Sequence, residues 1–458
     1  MTDYRTLAVF AGPDASTDLI GRLHYLPGGA IVDFTYADSW IGGRRRYSLS
    51  PRLSPERLAG LSAAAKAREL HAMFANLLPE GRRLTSLARL LKRHPTDTAG
   101  LLADTASETA GMLRFVAKTR DSRRTAFPAD VARELTVAEL GQRIAWRDSH
   151  PFVQWDERIP GSLSGSRDKL GVWVADGRWH VLEGERGAST HIAKVGASTG
   201  GCSSLAANEH VCLRLAAAVG MPVVRSELYR TTSGPVLLTE RFDRQTRLGS
   251  KLVRRLHVVD GCQLLGLTPA QAIEQPYADG RGVVDLRPGA TLSELFAALR
   301  EHATAPRRET LRLLRWVLLQ VLLGAGSTLN AKNVTFVVEP GDRLRLAPAY
   351  ALRGELAFAH AGWQGFGMRV GGVWFADVME REHWQALAAE ADIDSATLTA
   401  ELRRLARRLE SVASAVGFAA RNAGADPQVV VALVQTVQRQ CERVLQSTQS
   451  EAWEAGVA

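Results

Sequence analysis

Residues 322–336 read LLGAGSTLNAKNVTF, and residues 348–352, shortly after them, read PAYAL. The first stretch passes from apolar residues through glycines to Ala331–Asn333 and a strand-like piece, and the second contains Tyr350-Ala351. A phosphoryl-transfer site needs one carboxylate to position and deprotonate the nucleophile and another to hold magnesium against the phosphates. Neither stretch contains an aspartate or a glutamate. These two stretches therefore decide whether the chain is interpreted as an enzyme or as a binding protein.

The composition is that of an ordinary globular protein. Of 458 residues, 46% are hydrophobic and 23% are charged, and this length allows two or three domains. No apolar stretch is long enough to span a membrane, and the start, MTDYRTLAVFAGPDAS, lacks a secretory signal, so we expect a cytoplasmic protein. The cysteines form no CxxC pair and favour free thiols in a reducing compartment; they are Cys202, Cys212, Cys262 and Cys441.

The net charge of +9 has two interpretations. It permits a surface for nucleic acid or an acidic partner, and it equally fits arginines scattered over solvated faces. No RNP, zinc-finger or long basic-arm signature is present. His191, Cys202, His210 and Cys212 match no structural zinc spacing, so core or surface roles are favoured for them.

The periodicity changes along the chain. Residues 1–50 alternate apolar and polar side chains between glycine turns, which is typical of antiparallel strands. The period becomes helical from Ser54 to about residue 102, with a break at residues 77–81. Residues 160–240 mix strands with one helix and contain a hairpin around Asp176-Gly177. From about residue 255 onward, helical patterns dominate, apart from strands at 334–339 and 343–346.

Three further motifs carry chemistry. Residues 162–169 read SLSGSRDK, and their glycine and small side chains let backbone N–H groups approach phosphates. An ordinary polar lead-in to a hairpin is the competing interpretation, and the spacing from Lys194 on a later strand favours the phosphate loop. Glu209 lies fifteen positions after Lys194 on the next helix, where a glutamate can orient a lysine. Residues 240–243 read ERFD.

Together these motifs resemble the HipA-type serine/threonine kinases, the toxin arm of bacterial toxin–antitoxin pairs. The resemblance covers nearly the whole chain in family order and includes NLLPEG at 76–81 and ERFD at 240–243. It implies an α+β fold of the two-lobed, protein-kinase-like HipA type, with a small β-rich N-terminal subdomain and a large helical C-terminal lobe. The implied boundaries are 1–118 for the N-terminal subdomain, 119–250 for the kinase-like N-lobe and 251–458 for the helical lobe.

The resemblance also implies an ATP site. Ser162 matches the family's autophosphorylation serine, whose modification ejects the phosphate loop. Lys194 matches the ATP lysine, Glu209 is its expected partner, and ERFD matches the hinge that receives adenine. The residues that the resemblance assigns to ATP are Ser164, Gly165, Ser166, Arg167, Asp168, Lys169, Lys194, Glu209, Glu240, Arg241, Phe242, Lys332, Asn333 and Tyr350.

The chain departs from the family at the residues that carry out the chemistry. In the family the catalytic loop has an aspartate and a histidine ahead of Ala-Lys-Asn, and the later strand ends in Tyr-Asp. Here Thr328, Asn330 and Ala351 stand at these positions. Threonine does not ionise near neutral pH, and Asn333 alone is a poor ligand for magnesium, which prefers carboxylates. We therefore expect ATP as the cofactor, doubt magnesium, and expect no intact catalytic residue.

Three classes of function follow from this pattern. The leading hypothesis is a pseudokinase that acts by binding a HipB-like helix-turn-helix antitoxin, DNA through that partner, or an active paralogue. The alternative is an active kinase that phosphorylates a translation component, such as an aminoacyl-tRNA synthetase, with a relocated carboxylate. Asp342, Glu355 and Asp377 are the carboxylates within reach in sequence. A different enzyme that uses the retained pocket, for example for nucleotide or nucleic-acid cleavage, is the third class.

Overall fold

The protein was analysed as a computed structural model. The structure describes residues 4–12, 18–43, 46–105, 108–117, 131–156, 159, 161–183, 188–196, 205–246, 253–276, 286–358 and 365–449. Cys202 lies outside these residues. The chain divides into two compact units. The first unit comprises Met1–Ala197, Tyr229–Pro269 and Phe336–Leu344, and the second comprises Ser198–Leu228, Ala270–Thr335 and Arg345–Ala458.

The first unit begins with a four-stranded antiparallel sheet. Its strands, in spatial order, are Ile31–Tyr36, Leu19–Tyr25, Arg5–Ala11 and Leu113–Ala117. Alternate side chains of these strands are buried, as the period-two pattern predicts. The helices that follow are Asp38–Ile41, Pro55–Gly60, Ala63–Ala75, Gly81–Leu90 and Thr98–Thr105. The predicted helix start at Ser54 is confirmed, because the Ser54 side chain accepts a hydrogen bond from the N–H of Arg57.

A six-stranded sheet forms the rest of the first unit's core. Its order is Val131–Leu135, Arg178–Glu183, Lys169–Ala175, His191–Val195, Gly234–Glu240 and Ser226–Thr231. The predicted hairpin is confirmed: Ala175 pairs with Arg178, and Asp176 and Gly177 have φ values of +50° and +74°. Two positive φ values in a two-residue loop match the right-handed twist of the flanking strands. Helix Val137–Ala145 packs its apolar face into the same core.

Two smaller sheets follow in the chain. Arg244–Thr246 pairs with Val253–Arg255. A three-stranded sheet runs in the order Val258–Asp260, Thr335–Glu339 and Arg343–Leu346, so both late strands predicted from the sequence are confirmed. Helix Gly261–Leu265 follows the first strand of this sheet.

The second unit is mainly helical. Its helices are Leu205–Ala218, Leu292–His302, Pro306–Leu322, Arg381–Ala391, Ser395–Asn422 and Pro427–Gln449, and its short strands are Gln275–Pro276 and Leu286–Arg287. Ser395–Asn422 and Pro427–Gln449 pack against each other and against Leu205–Ala218. The predicted α+β class is therefore confirmed, with sheets towards the N-terminus and helices towards the C-terminus. The boundaries 1–118, 119–250 and 251–458 stay a prediction.

Other expectations from composition can be compared with the described residues. Cys212, Cys262 and Cys441 are free and buried. No described helix is long and apolar enough to cross a membrane. Among the described residues, no group of three or more His, Cys, Asp or Glu side chains is placed to hold a metal ion. His210 instead contacts Ser226 Oγ through its Nδ1 at 3.0 Å.

Candidate functional sites

The predicted phosphate loop, residues 162–169, is an ordered segment of the first unit. Ser162 at its start is fully buried, donates its N–H to the Glu108 carbonyl at 2.8 Å and donates its hydroxyl to the Leu77 carbonyl at 2.9 Å. Gly165 has a φ of +93°, a conformation that favours glycine. In this conformation the hydroxyl of Ser162 is closed to a phosphoryl donor, so modification there requires the loop to open.

Two cations lie beneath this loop. Arg83 Nη1 donates to the carbonyls of Leu163 and Gly165 at 2.8 Å each, and Lys169 Nζ donates to the carbonyl of Ser164 at 2.5 Å. Burial of its ammonium group, together with the charges of Arg83 and Lys194, holds the pKa of Lys169 well below its usual range. Sequence reasoning found Lys169 but missed Arg83, which lies on a helix of the N-terminal part.

The other loop residues that are expected to contact ATP are more exposed to solvent than Ser162. Ser166 is exposed, whereas Ser164, Arg167 and Asp168 are half-buried. No described residue accepts a hydrogen bond from the N–H groups of Ser164 or Ser166, whereas Gly165 forms a parallel bridge with Pro79 and its N–H faces the Leu78 carbonyl. Backbone N–H groups that are left free in a turn can bind an anion. The loop therefore fits the phosphates of a nucleotide.

Lys194 and Glu209 lie in different units. Lys194 is on strand His191–Val195, where it pairs in register with Lys169 of the neighbouring strand. Glu209 is buried on helix Leu205–Ala218, and its Oε1 accepts the N–H of Ala351 at 3.2 Å. The ion pair expected between Lys194 and Glu209 would join the two units and stays a prediction.

The hinge motif contains a buried ion cluster. Arg241 donates to Glu108 Oε1 at 2.9 Å and to both carboxylate oxygens of Asp243, and Arg244 contacts the same two acids. Burial of Glu108 and Asp243 alone raises their pKa values, but the two guanidinium groups hold the pKa of each acid below its usual range. We call Glu108, Arg241, Asp243 and Arg244 the hinge ion cluster.

The cluster shows which part of Arg241 is left to meet ATP. The resemblance assigns Arg241 to ATP as part of the hinge, whose backbone groups receive the adenine edge, and that assignment stays a prediction. Its side chain is 3% exposed and contacts only buried groups of the first unit. Its N–H also donates to the carbonyl of Thr190 at 2.9 Å. The side chain of Arg241 therefore stabilises the fold beneath the hinge. Glu240 is exposed at the end of its strand, and Phe242 is half-buried.

In the second unit, Thr328 is buried within the segment that resembles the catalytic loop. Its side chain is 1% exposed, and its Oγ1 has no hydrogen-bond partner among the described residues. Its carbonyl accepts Asn333 Nδ2 at 2.9 Å. Asn330 Oδ1 accepts the N–H of Lys332 at 3.0 Å, and its Nδ2 donates to the Ser327 carbonyl at 2.6 Å. These amides fix the loop and leave it without an acid.

Residues 348–352 contact the segment that resembles the catalytic loop through the side chain of Tyr350. Tyr350 donates its hydroxyl to the Lys332 carbonyl at 2.9 Å and also contacts Thr335 Oγ1 at 2.6 Å. Ala351 follows with a φ of +54°, a conformation that is uncommon for alanine and enriched for aspartate and asparagine. The backbone at this position is therefore suited to an aspartate, although the side chain is a methyl group.

One carboxylate does reach the loop. Glu355 Oε2 accepts Ser327 Oγ and the N–H of Thr328, each at 3.2 Å, and its Oε1 lies 3.3 Å from Arg353 Nη2. The side chain of Glu355 is 23% exposed. Asp342 instead accepts the N–H and hydroxyl of Ser48, at 2.6 Å and 2.8 Å. Asp377 is exposed.

The donor set does not suit magnesium. The side chain of Ala351 supplies no oxygen, which leaves the neutral Oδ1 of Asn333, whose Nδ2 donates to the Thr328 carbonyl, as a single family ligand. Magnesium prefers near-octahedral oxygen ligands that include carboxylates, and Glu355 is engaged by Arg353 and two loop donors. The residues of the phosphate loop thus fit a nucleotide, whereas those around Ala351 do not fit magnesium.

Comparisons with known proteins identify similar domains and sequences. Residues 161–416 match the HipA-like C-terminal domain, and residues 15–116 match the HipA N-terminal domain. Over 324 residues the chain is 28% identical to the serine/threonine-protein kinase toxin HipA of Shewanella oneidensis, and the alignment covers 70% of each protein. It is 27% identical over 387 residues to the putative kinase Y4mE of Sinorhizobium fredii, covering 84% of this chain and 86% of that protein.

A solved structure supports the same assignment. The fold matches HipA of Shewanella oneidensis MR-1, solved in complex with HipB and its operator DNA, with a TM-score of 0.79 and 25% sequence identity. The match covers 97% of this chain and 100% of that one. The family domains account for more than half of the sequence, in the order that the motifs predicted. The chain therefore belongs to the HipA family of toxin–antitoxin proteins with the serine/threonine kinase fold.

Proposed function

We propose that this HipA-family chain binds a nucleotide but does not transfer its phosphate, and that it acts as a pseudokinase. The observation that carries the proposal is Thr328, a buried and neutral residue at the position of the family's general base. Removal of a general base typically costs ~10²–10⁴-fold in rate. Ala351 removes an expected metal ligand as well, so both charged groups of the transfer step are absent.

The residues that would hold ATP remain. The N–H groups of Ser164 and Ser166 would receive phosphate oxygens, Lys194 would add a positive charge, and the backbone around Glu240 would receive the adenine edge. ATP would supply a polyanion for this site and a group that stabilises the bound conformation. Binding of this kind favours whichever state of the protein makes the contacts.

The partner we propose is a HipB-like helix-turn-helix antitoxin, with DNA contacted through it. The relative of known structure was solved with HipB and operator DNA, and the net charge of +9 is compatible with a position close to DNA. An active HipA paralogue is another partner that an inactive copy could neutralise.

Calorimetric titration with ATP, with and without magnesium, tests the nucleotide site. We expect ATP to bind with a Kd that magnesium leaves nearly unchanged, and Lys194→Met to weaken binding by about tenfold or more because a charge-assisted contact is lost. Lys66→Met is the control, since Lys66 lies on helix Ala63–Ala75 and is paired with Asp33 at 3.2 Å. ATP binding that requires magnesium would contradict the proposal.

A second candidate function is favoured by one contact. Glu355 lies 3.2 Å from the N–H of Thr328, so an active kinase could use this carboxylate in place of the missing aspartate and act on a translation component. In that case Glu355→Gln should abolish phosphorylation, while Asp377→Asn, which removes an exposed carboxylate, should leave it unchanged. Equal activity of the two variants would exclude Glu355 as the base.

A further inference from the structure

We infer that Arg83 is a positioning residue, supplied by the N-terminal part of the chain, which together with Lys169 holds the phosphate loop in its anion-binding conformation. The inference rests on the proposed nucleotide site and explains what holds the loop in the conformation that would bind phosphate. Arg83 lies on helix Gly81–Leu90, within the N-terminal family domain at residues 15–116, whereas the loop belongs to the C-terminal domain at 161–416.

The contacts of Arg83 and Lys169 fall on three consecutive carbonyls. Arg83 binds those of Leu163 and Gly165, and Lys169 binds that of Ser164 between them. The adjoining turn adds a fourth contact, because the N–H of Glu80 donates to the carbonyl of Gly165 at 3.3 Å. The three carbonyls on this face of the loop are therefore all hydrogen-bonded to protein donors.

Peptide geometry fixes where the opposite face points. In a trans peptide the carbonyl of one residue and the N–H of the next point in opposite directions, and no peptide bond of the described loop 162–169 is cis. Because the carbonyls of residues 163 and 165 point towards Arg83, the N–H groups of Ser164 and Ser166 point away from it. No described residue accepts a hydrogen bond from these two N–H groups, whereas the N–H of Gly165 faces the Leu78 carbonyl in the bridge that Gly165 forms with Pro79.

Charge adds to this geometry. Burial lowers the pKa of Arg83 to about 10, which still leaves the guanidinium charged at neutral pH. Arg83 is 5% exposed, and its Nε has no hydrogen-bond partner among the described residues. A buried cation with unmet hydrogen-bonding capacity is costly, so opening of the loop would leave Arg83 with fewer partners still. The cation thus favours the closed loop and raises the electrostatic potential behind it.

The experiment compares Arg83→Met with Arg82→Met in the full-length chain. Arg82 is the neighbouring arginine, its side chain is 89% exposed, and its carboxylate contact, Asp148, lies 3.9 Å away. We measure the rate of tryptic cleavage after Arg167 by mass spectrometry in nucleotide-free protein, and the Kd for ATP by calorimetry. Arg83→Met should raise the cleavage rate at least about tenfold and weaken ATP binding by a similar factor, and Arg82→Met should change neither beyond about twofold.

Arg83→Lys separates position from charge. A lysine keeps the charge but cannot donate in the planar fork of a guanidinium, so it should restore only part of the loop's protection. Should Arg83→Met fail to fold, the same two measurements on Arg83→Lys decide the question. Cleavage after Arg167 that is as slow in the Arg83 variant as in the wild type would overturn the inference. If wild-type protein bound no ATP, the proposed function would fail, and the cleavage rates would still decide the role of Arg83.

Discussion

The hinge ion cluster contains buried, paired ions, whereas the segment that resembles the catalytic loop has neutral side chains where the family has charged ones. In the first unit, Glu108 and Asp243 are buried, ionised and paired with arginines. In the second unit, the positions of the family's charged residues hold the neutral side chains of Thr328, Asn330 and Ala351, and the Asn330 amide binds only neighbouring backbone.

The difference shows which features of the kinase fold the chain keeps. Burying an ion is expensive unless it is paired and hydrogen-bonded, so the hinge ion cluster persists only where every member stays in place. The loop that contains Thr328 buries no ion that must be paired, because neutral side chains occupy the positions of the family's charged residues. The proposed function therefore assigns the buried ion cluster to the fold beneath the hinge, and it attributes the loss of phosphoryl transfer to the neutral side chains at Thr328 and Ala351.

Asp243→Asn should produce the largest effect on stability. It removes one acid from a buried cluster and leaves Arg241 and Arg244 undercompensated, which we expect to cost ~3–5 kcal/mol of unfolding free energy. Urea denaturation measures this loss. Asp377→Asn, an exchange at an exposed position, is the control and should change stability by less than about 0.5 kcal/mol. Similar values for both variants would contradict the contrast between the two regions.

A pH effect should arise from His257, also in the first unit. Its Nε2 donates to the Leu49 carbonyl at 2.9 Å, and burial lowers its pKa to about 4. The unfolded chain therefore takes up the proton first, and stability should fall as the pH drops from about 6.5 to about 4, by up to ~3 kcal/mol. His257→Gln should flatten the profile, although His210, with a pKa of about 4, contributes in the same window.

Denaturation at several pH values checks this expectation. A wild-type profile that is flat between pH 7 and pH 4 would contradict it, as would a His257→Gln profile as steep as that of the wild type. The same titration of Glu355→Gln serves as a control, because that exchange alters a side chain of the second unit and leaves the surroundings of His257 untouched.

Ala351→Asp should make nucleotide binding depend on magnesium. The backbone there already has a φ of +54°, which aspartate tolerates better than alanine, and Asn333 is the expected second ligand. ATP should then bind about tenfold tighter with magnesium than without it. Ala351→Asn fits the same backbone without a charge and should show no such gain. A Kd for Ala351→Asp that ignores magnesium would show that more than this carboxylate is missing.

Thr328→Val should give the smallest effect. Valine has nearly the shape of threonine, and the hydroxyl it replaces has no partner among the described residues. Stability should stay unchanged or rise by up to ~1 kcal/mol. Thr109→Val is the matched exchange in the first unit, where Thr109 Oγ1 donates to the Leu113 carbonyl at 2.7 Å, and it should cost ~1 kcal/mol. Equal losses in both variants would remove the distinction between the regions.

Local features of the fold were predictable from the sequence. The Asp176-Gly177 turn, the Ser54 cap and the late strands follow from residues close to one another in the chain. The hinge ion cluster was not predictable, because Arg241 and Glu108 are 133 positions apart. Arg83 was missed for the same reason, since it lies 80 positions before the first carbonyl it binds. The contact of Glu355 with the loop needed the fold as well.

The central claim is the absence of phosphoryl transfer, and intact-protein mass spectrometry tests it most directly. The wild-type chain is incubated with ATP and magnesium and weighed beside an untreated sample. We predict an unchanged mass, because Thr328 and Ala351 replace the two charged groups of the reaction and the Ser162 hydroxyl is bonded to the Leu77 carbonyl. Stoichiometric addition of phosphate, on Ser162 or elsewhere, would contradict the account.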